Sequence, residues 1–265
     1  VALISAITTC KGRLAHLQQT LPALMRTGME VVVVDYDCPD GAGAWVQATY
    51  RQARVVAVTE RPRFNLSAAR NLGAAAASGE WLLFLDADVS VDPGLPAAIE
   101  RDLRPGVFLL ADPRPPELWG VLLVSRTYFD AVEGYDGVFE GWGAEDVDLV
   151  ERLEIRGLRP GSFPGGLLTS IPHGDAQRTQ FHEIADTNLS ASINGFYRIA
   201  KNNLARHGDW LGLDARRRLY AHVREAMLGT EAVKTIQIPV RSTMVENFFV
   251  DVFLRYDFRP RNPES

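Results

Sequence analysis

The stretch Trp81–Asp88 reads W-L-L-F-L-D-A-D. A short, continuously apolar run suits a strand buried on both faces, as in a parallel sheet. Glu30–Asp35 repeats the pattern as E-V-V-V-V-D, a second buried strand ending on an acid. Two such runs commit the chain to an α/β fold with an open, mostly parallel sheet. In such sheets ligands bind in the crevice beyond the carboxyl ends of the strands. Asp86 and Asp88 fall at that edge. There two carboxylates can hold a divalent cation, a hard ion that takes oxygen ligands and bridges to phosphates. An isolated D-x-D is common, and alone it favours a turn cap and a solvated acid over a metal site.

The flanking chain supplies the rest of the sheet. Leu3–Thr8 is a β-rich stretch ending in the polar run Thr8-Thr9-Cys10-Lys11-Gly12-Arg13. Leu14, Leu17, Leu21 and Leu24 recur at helical spacing before Gly28, a good helix stop. Ala42–Arg51 reads as a helix and Arg54–Val58 as a third strand. Ser67–Ser78 is an alanine-rich helix with Ser67 as its expected N-cap and Gly79 as its stop. Alternating strands and helices of this kind wind into a parallel sheet with right-handed crossovers. Thr8, Thr9, Asp35, Asp86 and Asp88 are then expected around one crevice. Neither G-x-G-x-x-G nor a Walker A loop occurs there, so a bound nucleotide would rely on a metal and a few cations.

Beyond Asp88, a helix is expected from Asp92-Pro93 through Leu103, with strands at Val107–Ala111 and Trp119–Val124. Ser125–Val132 reads as a short helix ending at Gly134. A loop then leads into G-W-G-A-E-D-V-D-L over Gly141–Leu149, where Val147, Val150 and Leu153 share one helix face. Glu145 and Asp146 open this helix, where the macrodipole favours carboxylates. The preceding G-W-G offers a flexible loop and an exposed aromatic. Leu167–Ile171 reads as a strand running into His173, and Leu189, Ile193, Tyr197, Ala200 and Leu204 mark a long amphipathic helix. Leu219–Leu228 reads as another helix, and Thr235–Phe258 is β-prone.

With 265 residues, the chain suits one large α/β domain, or a domain plus a subdomain. A net charge of −5 argues against a general nucleic-acid binder. No apolar run is long enough to span a bilayer, and no signal-peptide pattern opens the chain. Two cysteines do not make a disulfide framework. The cytoplasm is the expected location, in which case the sequons at Asn65 and Asn188 are chance matches.

In this order the motifs resemble the metal-dependent glycosyltransferases of GT-A fold, specifically the family 2-like group, over roughly the first 180 residues. Val33-Val34-Asp35 followed by Asp40-Gly41 looks like the family's second-strand segment, which implies that Asp35 contacts the nucleotide base. Ala69-Arg70-Asn71-Leu72-Gly73 matches the helix that reaches the nucleotide and its diphosphate. Asp86-Ala87-Asp88 matches the D-x-D motif, with Asp86 near the ribose or a metal-bound water and Asp88 on Mn²⁺ or Mg²⁺. Gly134-Tyr135-Asp136 looks like the G-G-F-D segment, and Gly141–Leu149 is similar to the G-W-G-x-E-D stretch of β-1,4-galactosyltransferase-like and chondroitin-polymerase-like enzymes. His173 corresponds to the histidine completing their metal site. Tyr36 departs from the family in place of a second aspartate, as does Glu133-Gly134 in place of a double glycine.

The resemblance implies an inverting, metal-dependent transfer of sugar from a nucleotide-diphospho-sugar, UDP-linked, to an acceptor hydroxyl. Asp146 is then the general base, and Glu145 binds an acceptor or donor-sugar hydroxyl. Lys11 or Arg13, with Arg70, would contact phosphates; Thr8, Thr9 and Asn71 complete the donor site, and Trp119-Gly120 shapes the sugar pocket. Trp142 either stacks on a sugar ring or anchors its loop, beside Gly143. Residues 1–90 would form the nucleotide-binding half, 91–180 the acceptor and catalytic half, and 181–265 an extension packed on the same domain. Two alternatives stay open: a sugar-1-phosphate nucleotidyltransferase, and a noncatalytic carbohydrate- or nucleotide-binding module. The first would normally carry a glycine- and arginine-rich loop after strand one, which Thr8–Arg13 is not.

Overall fold

The computed structural model describes residues 3–172, 174, 179–229, 234–245 and 248–258. Its first half alternates strands and helices: β1 (Ile4–Cys10), α1 (Leu14–Met25), β2 (Glu30–Tyr36), α2 (Ala42–Thr49), β3 (Arg54–Val58), α3 (Leu66–Ala76) and β4 (Trp81–Asp86). These four strands are parallel in the order β3-β2-β1-β4. Side chains alternate across a strand, so an all-apolar strand serves two layers at once. Trp81, Leu83 and Leu85 of β4 pack with Leu17, Leu21 and Leu24 of α1 on one face. Leu82 and Phe84 meet Ala74 of α3 and Phe129 on the other. The apolar run Trp81–Leu85 is buried for this reason.

After β4 the chain makes β5 (Val89–Val91), α4 (Leu95–Glu100), β6 (Val107–Asp112), β7 (Leu122–Ser125), α5 (Arg126–Ala131), α6 (Glu145–Ile155), β8 (Arg159–Pro164) and β9 (Leu168–Ser170). The central sheet extends through β7, antiparallel to β4 and β6, and then β8, parallel to β6, giving seven strands. β5 and β9 form a separate two-stranded ribbon, and Ile171 N–H donates to the Asp88 carbonyl at 2.8 Å. The segment leading to His173 is thereby fastened beside Asp88. Two helices, α7 (Thr187–Arg206) and α8 (Leu213–Leu228), and a hairpin of β10 (Lys234–Val245) and β11 (Phe248–Phe258) complete the described chain. They bury Ile193, Tyr197 and Val223 against Val138 and Phe139 of the loop before α6.

Several boundaries differ from the sequence expectation. Asn65, not Ser67, caps α3, because its side chain accepts the Ala68 N–H at 2.8 Å. The helix expected from Asp92 starts at Leu95, because Asp92 folds back on Gly94 N–H (2.7 Å) and makes a turn first. Trp119 ends a 3₁₀ turn over Pro116–Leu118 rather than starting a strand. The buried face of α6 is Glu145, Asp148, Leu149, Arg152 and Leu153, whereas Val147 is exposed. Asp148 and Arg152 are buried because they pair with each other, and Lys201 adds a second cation to Asp148.

Candidate active site

Strand register sets the floor of the crevice. Cys10 pairs with Asp35 and Thr9 with Asp86, so the ends of β2, β1 and β4 lie in one row. Above this row stands Arg70 of α3, 1 % exposed, which organises the site. One Arg70 nitrogen donates to Asp86 Oδ1 at 2.7 Å, and the other donates to Asp146 Oδ1. The guanidinium also lies 4.9 Å over the Tyr135 ring and 3.4 Å from the Gly120 carbonyl. Gly120 is required at this spot. A Cβ there would sit 2.3 Å from Asp86 Oδ2 and 2.7 Å from Arg70 Nη2.

Burial sets the protonation states. It opposes the Arg70 charge, but Asp146, Tyr135, Asp86 and Glu145 together outweigh it and hold the guanidinium firmly charged. Burial, and next the Asp146 charge, push the Glu145 carboxyl up to about 8. Asp146 is also pushed up by burial, with Arg70 opposing and Asp86 adding to the rise. A pair of neighbouring acids is thus split: Glu145 keeps its proton near neutral pH, and Asp146 has the arginine in contact to favour its anion.

The loop ahead of these acids is held in unusual backbone geometry. Gly141, Gly143 and the non-glycine Ala144 all have positive φ, at 74°, 99° and 75°. Left-handed geometry at a residue with a Cβ costs on the order of 1 kcal/mol and persists where surroundings enforce it. Helix α7 enforces it. Asn194 donates to the carbonyls of Glu140 (2.9 Å), Trp142 (3.3 Å) and Gly143 (2.9 Å). Ser190 Oγ accepts the Trp142 N–H at 2.8 Å and donates to its carbonyl at 3.1 Å. Tyr220 of α8 donates to Asn194 Oδ1 at 3.0 Å and so orients that amide.

Other expected donor-site residues have structural partners. Asp35 accepts N–H groups from Cys38 (2.8 Å) and Gly43 (2.7 Å), bracing the β2–α2 turn. Lys11 is buried and donates to the carbonyls of Tyr36, Asp37 and Arg61. Asn71 clamps the Tyr135 main chain through both ends of its amide. Thr8 and Thr9 are buried in β1. Arg13 pairs with Asp88 at 3.6 Å. Trp119 and Trp142 are exposed beside the site, at 51 % and 37 %.

Sequence reasoning missed Tyr135, which underlies Arg70, and Arg114, which feels the Asp146 charge. Burial lowers the Arg114 pKa while Asp146 opposes the shift, and its Nη2 donates to the Trp119 carbonyl at 2.6 Å. An arginine in a proline-rich loop carries no sequence signal for this placement. The anchors Ser190 and Asn194 were equally silent, as polar residues on a helix otherwise read for its apolar stripe.

The donor set for a metal is only partly described. Asp86 and Asp88 offer hard oxygen ligands at the strand edge, suited to Mn²⁺ or Mg²⁺. Among the described residues no group of three metal-binding side chains assembles. The expected third ligand, His173, lies outside the described residues.

With this geometry in hand, comparisons define the class. Residues 5–111 match the model of glycosyl transferase family 2, and residues 115–175 match that of the N-terminal domain of galactosyltransferase. Among solved structures, a mannosyltransferase from Pyrobaculum calidifontis in complex with GDP-Man and Mn²⁺ superposes with a TM-score of 0.57. It is 16 % identical, with 85 % of this chain and 70 % of that one covered. TarS of S. aureus in complex with UDP-GlcNAc gives 0.55 at 14 % identity, covering 84 % and 72 %. A longer TarS structure gives 0.55 over 86 % of this chain and 44 % of its own. No curated protein matches the chain. The chain is a glycosyltransferase of GT-A fold, with the expected mostly parallel sheet. No helix among the described residues is long and apolar enough to cross a membrane.

Proposed function

We propose that the chain is an inverting, metal-dependent glycosyltransferase that moves a sugar from a UDP-linked donor to an acceptor hydroxyl. The observation that carries the reading is the convergence of Asp86, Glu145 and Asp146 on buried Arg70 at the strand edge. The acceptor oxygen attacks the anomeric carbon while Asp146 takes its proton, and the bond to the diphosphate breaks on the opposite side. Asp146 suits this role because burial raises its affinity for a proton while the contact with Arg70 favours the anion that accepts one. Glu145, protonated near neutral pH, can donate a hydrogen bond to a sugar hydroxyl.

Asp88 and Asp86, with His173, would hold Mn²⁺ or Mg²⁺, which neutralises the diphosphate leaving group. Arg70 is the positioning residue between base and D-x-D rather than a phosphate ligand, since both of its terminal nitrogens are engaged by the two acids. Arg13, which pairs with Asp88, and Arg114, which feels the Asp146 charge, supply cations for the phosphates in its place. Trp142 and Trp119 present rings on which a sugar can stack. A donor with UDP agrees with one structural relative, in complex with UDP-GlcNAc, whereas the other is in complex with GDP-Man.

The test is a donor panel with the Asp146→Asn variant. Transfer should fall at least 100-fold while donor binding, read as protection from thermal unfolding, persists. Equal transfer by the variant removes Asp146 as the base. Chelation by EDTA should abolish turnover, and indifference to it removes the metal.

A further inference from the structure

The chain has two cysteines, and the fold brings them together. Cys10 ends β1 and is fully buried, while Cys38 sits in the turn after β2 and is partly exposed. Their sulfurs are 3.8 Å apart. A disulfide needs about 2.05 Å, so the gap to close is under about 2 Å. The turn is held against β1 from several sides. Lys11 donates to the Tyr36 and Asp37 carbonyls, and Asp35 accepts the Cys38 N–H. The two thiols therefore meet at high effective concentration.

They are also unequal. Cys38 Sγ accepts the Gly12 N–H at 3.2 Å, and the turn leads directly into α2, whose amino end favours an anion. The Cys10 contact first, and then main-chain N–H groups, bring the Cys38 thiol down to about 6, while the same contact and burial raise Cys10. A reachable, anion-stabilised sulfur beside a buried neutral thiol is the arrangement of a nucleophile and its resolving partner.

We propose that Cys10 and Cys38 are an oxidisable dithiol at the edge of the donor crevice, with Cys38 the nucleophile toward hydroperoxides and Cys10 the resolving thiol. In the first step the Cys38 thiolate attacks the distal peroxide oxygen. The O–O bond breaks, Cys38 becomes a sulfenic acid, and the departing alkoxide or hydroxide takes a proton. In the second step Cys10 attacks the Cys38 sulfur, the S–O bond breaks, and water leaves with the Cys10 proton. Each hydroperoxide oxidises one dithiol by two electrons. Drawing Cys38 toward β1 shifts the turn beside Asp35, whose carboxylate accepts the Cys38 N–H. Resting on the glycosyltransferase reading, the disulfide form binds the donor more weakly.

Two readouts separate the site from its coupling. The full chain is treated with hydrogen peroxide, alkylated under denaturing conditions and weighed intact. The expected product is a monomer with no alkylatable thiol, restored to two by dithiothreitol. Cys10→Ala should stop at a Cys38 sulfenic acid that dimedone traps, and Cys38→Ala should leave Cys10 alkylatable. Two alkylatable thiols after peroxide, an intermolecular dimer, or Cys38→Ala reacting as fast as Cys10→Ala would overturn the site. Independently, UDP-sugar Kd should rise at least threefold in the disulfide form. An unchanged Kd with the disulfide formed overturns the coupling alone, and absent donor binding in both forms overturns the transferase reading while the thiol chemistry stands.

Discussion

At the level of single residues, the site is governed by Arg70 and the acids it holds apart in character. Glu145 carries the clearest pH consequence. Its folded pKa of about 8 lies above its ordinary value of 4.5, so the folded state holds a proton that the unfolded chain has lost between those limits. Its stabilising contribution is full below about 4.5 and is lost as pH rises toward 8. Glu145→Gln should therefore flatten the fall in Tm across pH 5–8, as read by thermal melts in matched buffers. A parallel decline in both proteins would show that Glu145 is not the group titrating. Asp86, Asp88, Glu145 and Asp146 were legible in the sequence because short motifs announce them. The engagement of Arg70 by two carboxylates was not, since the motif around it says which helix it rides and not which way its side chain points. Asp35 and Lys11 make the same point: their hydrogen bonds brace turns, a function without any local signature.

Among the elements, α7 and the loop over residues 140–144 form one mechanical pair. The loop's three left-handed residues need an external scaffold, and Asn194 supplies hydrogen bonds to three of its carbonyls. Asn194→Ala should leave those acceptors poorly satisfied, at a cost of about 1–3 kcal/mol in denaturant unfolding. Displacing the acids at the start of α6 by even an ångström should lower kcat by roughly 100-fold, with donor KM changing much less. A loss confined to KM would place Asn194 in donor binding instead. The sheet was readable because apolar runs and turn residues encode it locally. β5, β8 and the β5–β9 ribbon were not, because Val89–Val91 is only a short piece and Arg159–Pro164 holds two prolines and a glycine. Such strands exist through pairing, not through propensity.

Across the whole molecule, a buried charge cluster joins Asp136 and helix α6 to the helices that follow. Lys201 of α7 lies 2.7 Å from both Asp136 and Asp148, and Tyr197 donates to Asp136 at 2.7 Å. Arg152 pairs with Asp148 at 2.8 Å, and Arg216 of α8 approaches Asp136 at 3.4 Å. Burial works to raise Asp136, but Lys201 first, then Arg216 and the Tyr197 hydroxyl, bring it below the usual carboxylate range. Lys201→Met should leave two buried carboxylates short of their counter-charge and destabilise the chain by about 3–5 kcal/mol, measured by urea unfolding. A change under about 1 kcal/mol would mean that water or Arg216 replaces it. The periodicity of Leu189, Ile193, Tyr197, Ala200 and Leu204 announced α7 as a helix, yet its polar residues carried the link that matters. The pinning of residues 140–143 by Ser190 and Asn194 has a bearing on how such enzymes can be recombined. An exchange of the C-terminal region for that of another transferase, made to alter the acceptor, severs the loop over residues 140–144 from its splint unless these two side chains travel with the recipient. The hereditary unit is the loop together with a helix some fifty residues downstream, and a graft that respects only the motif boundary inherits half of it.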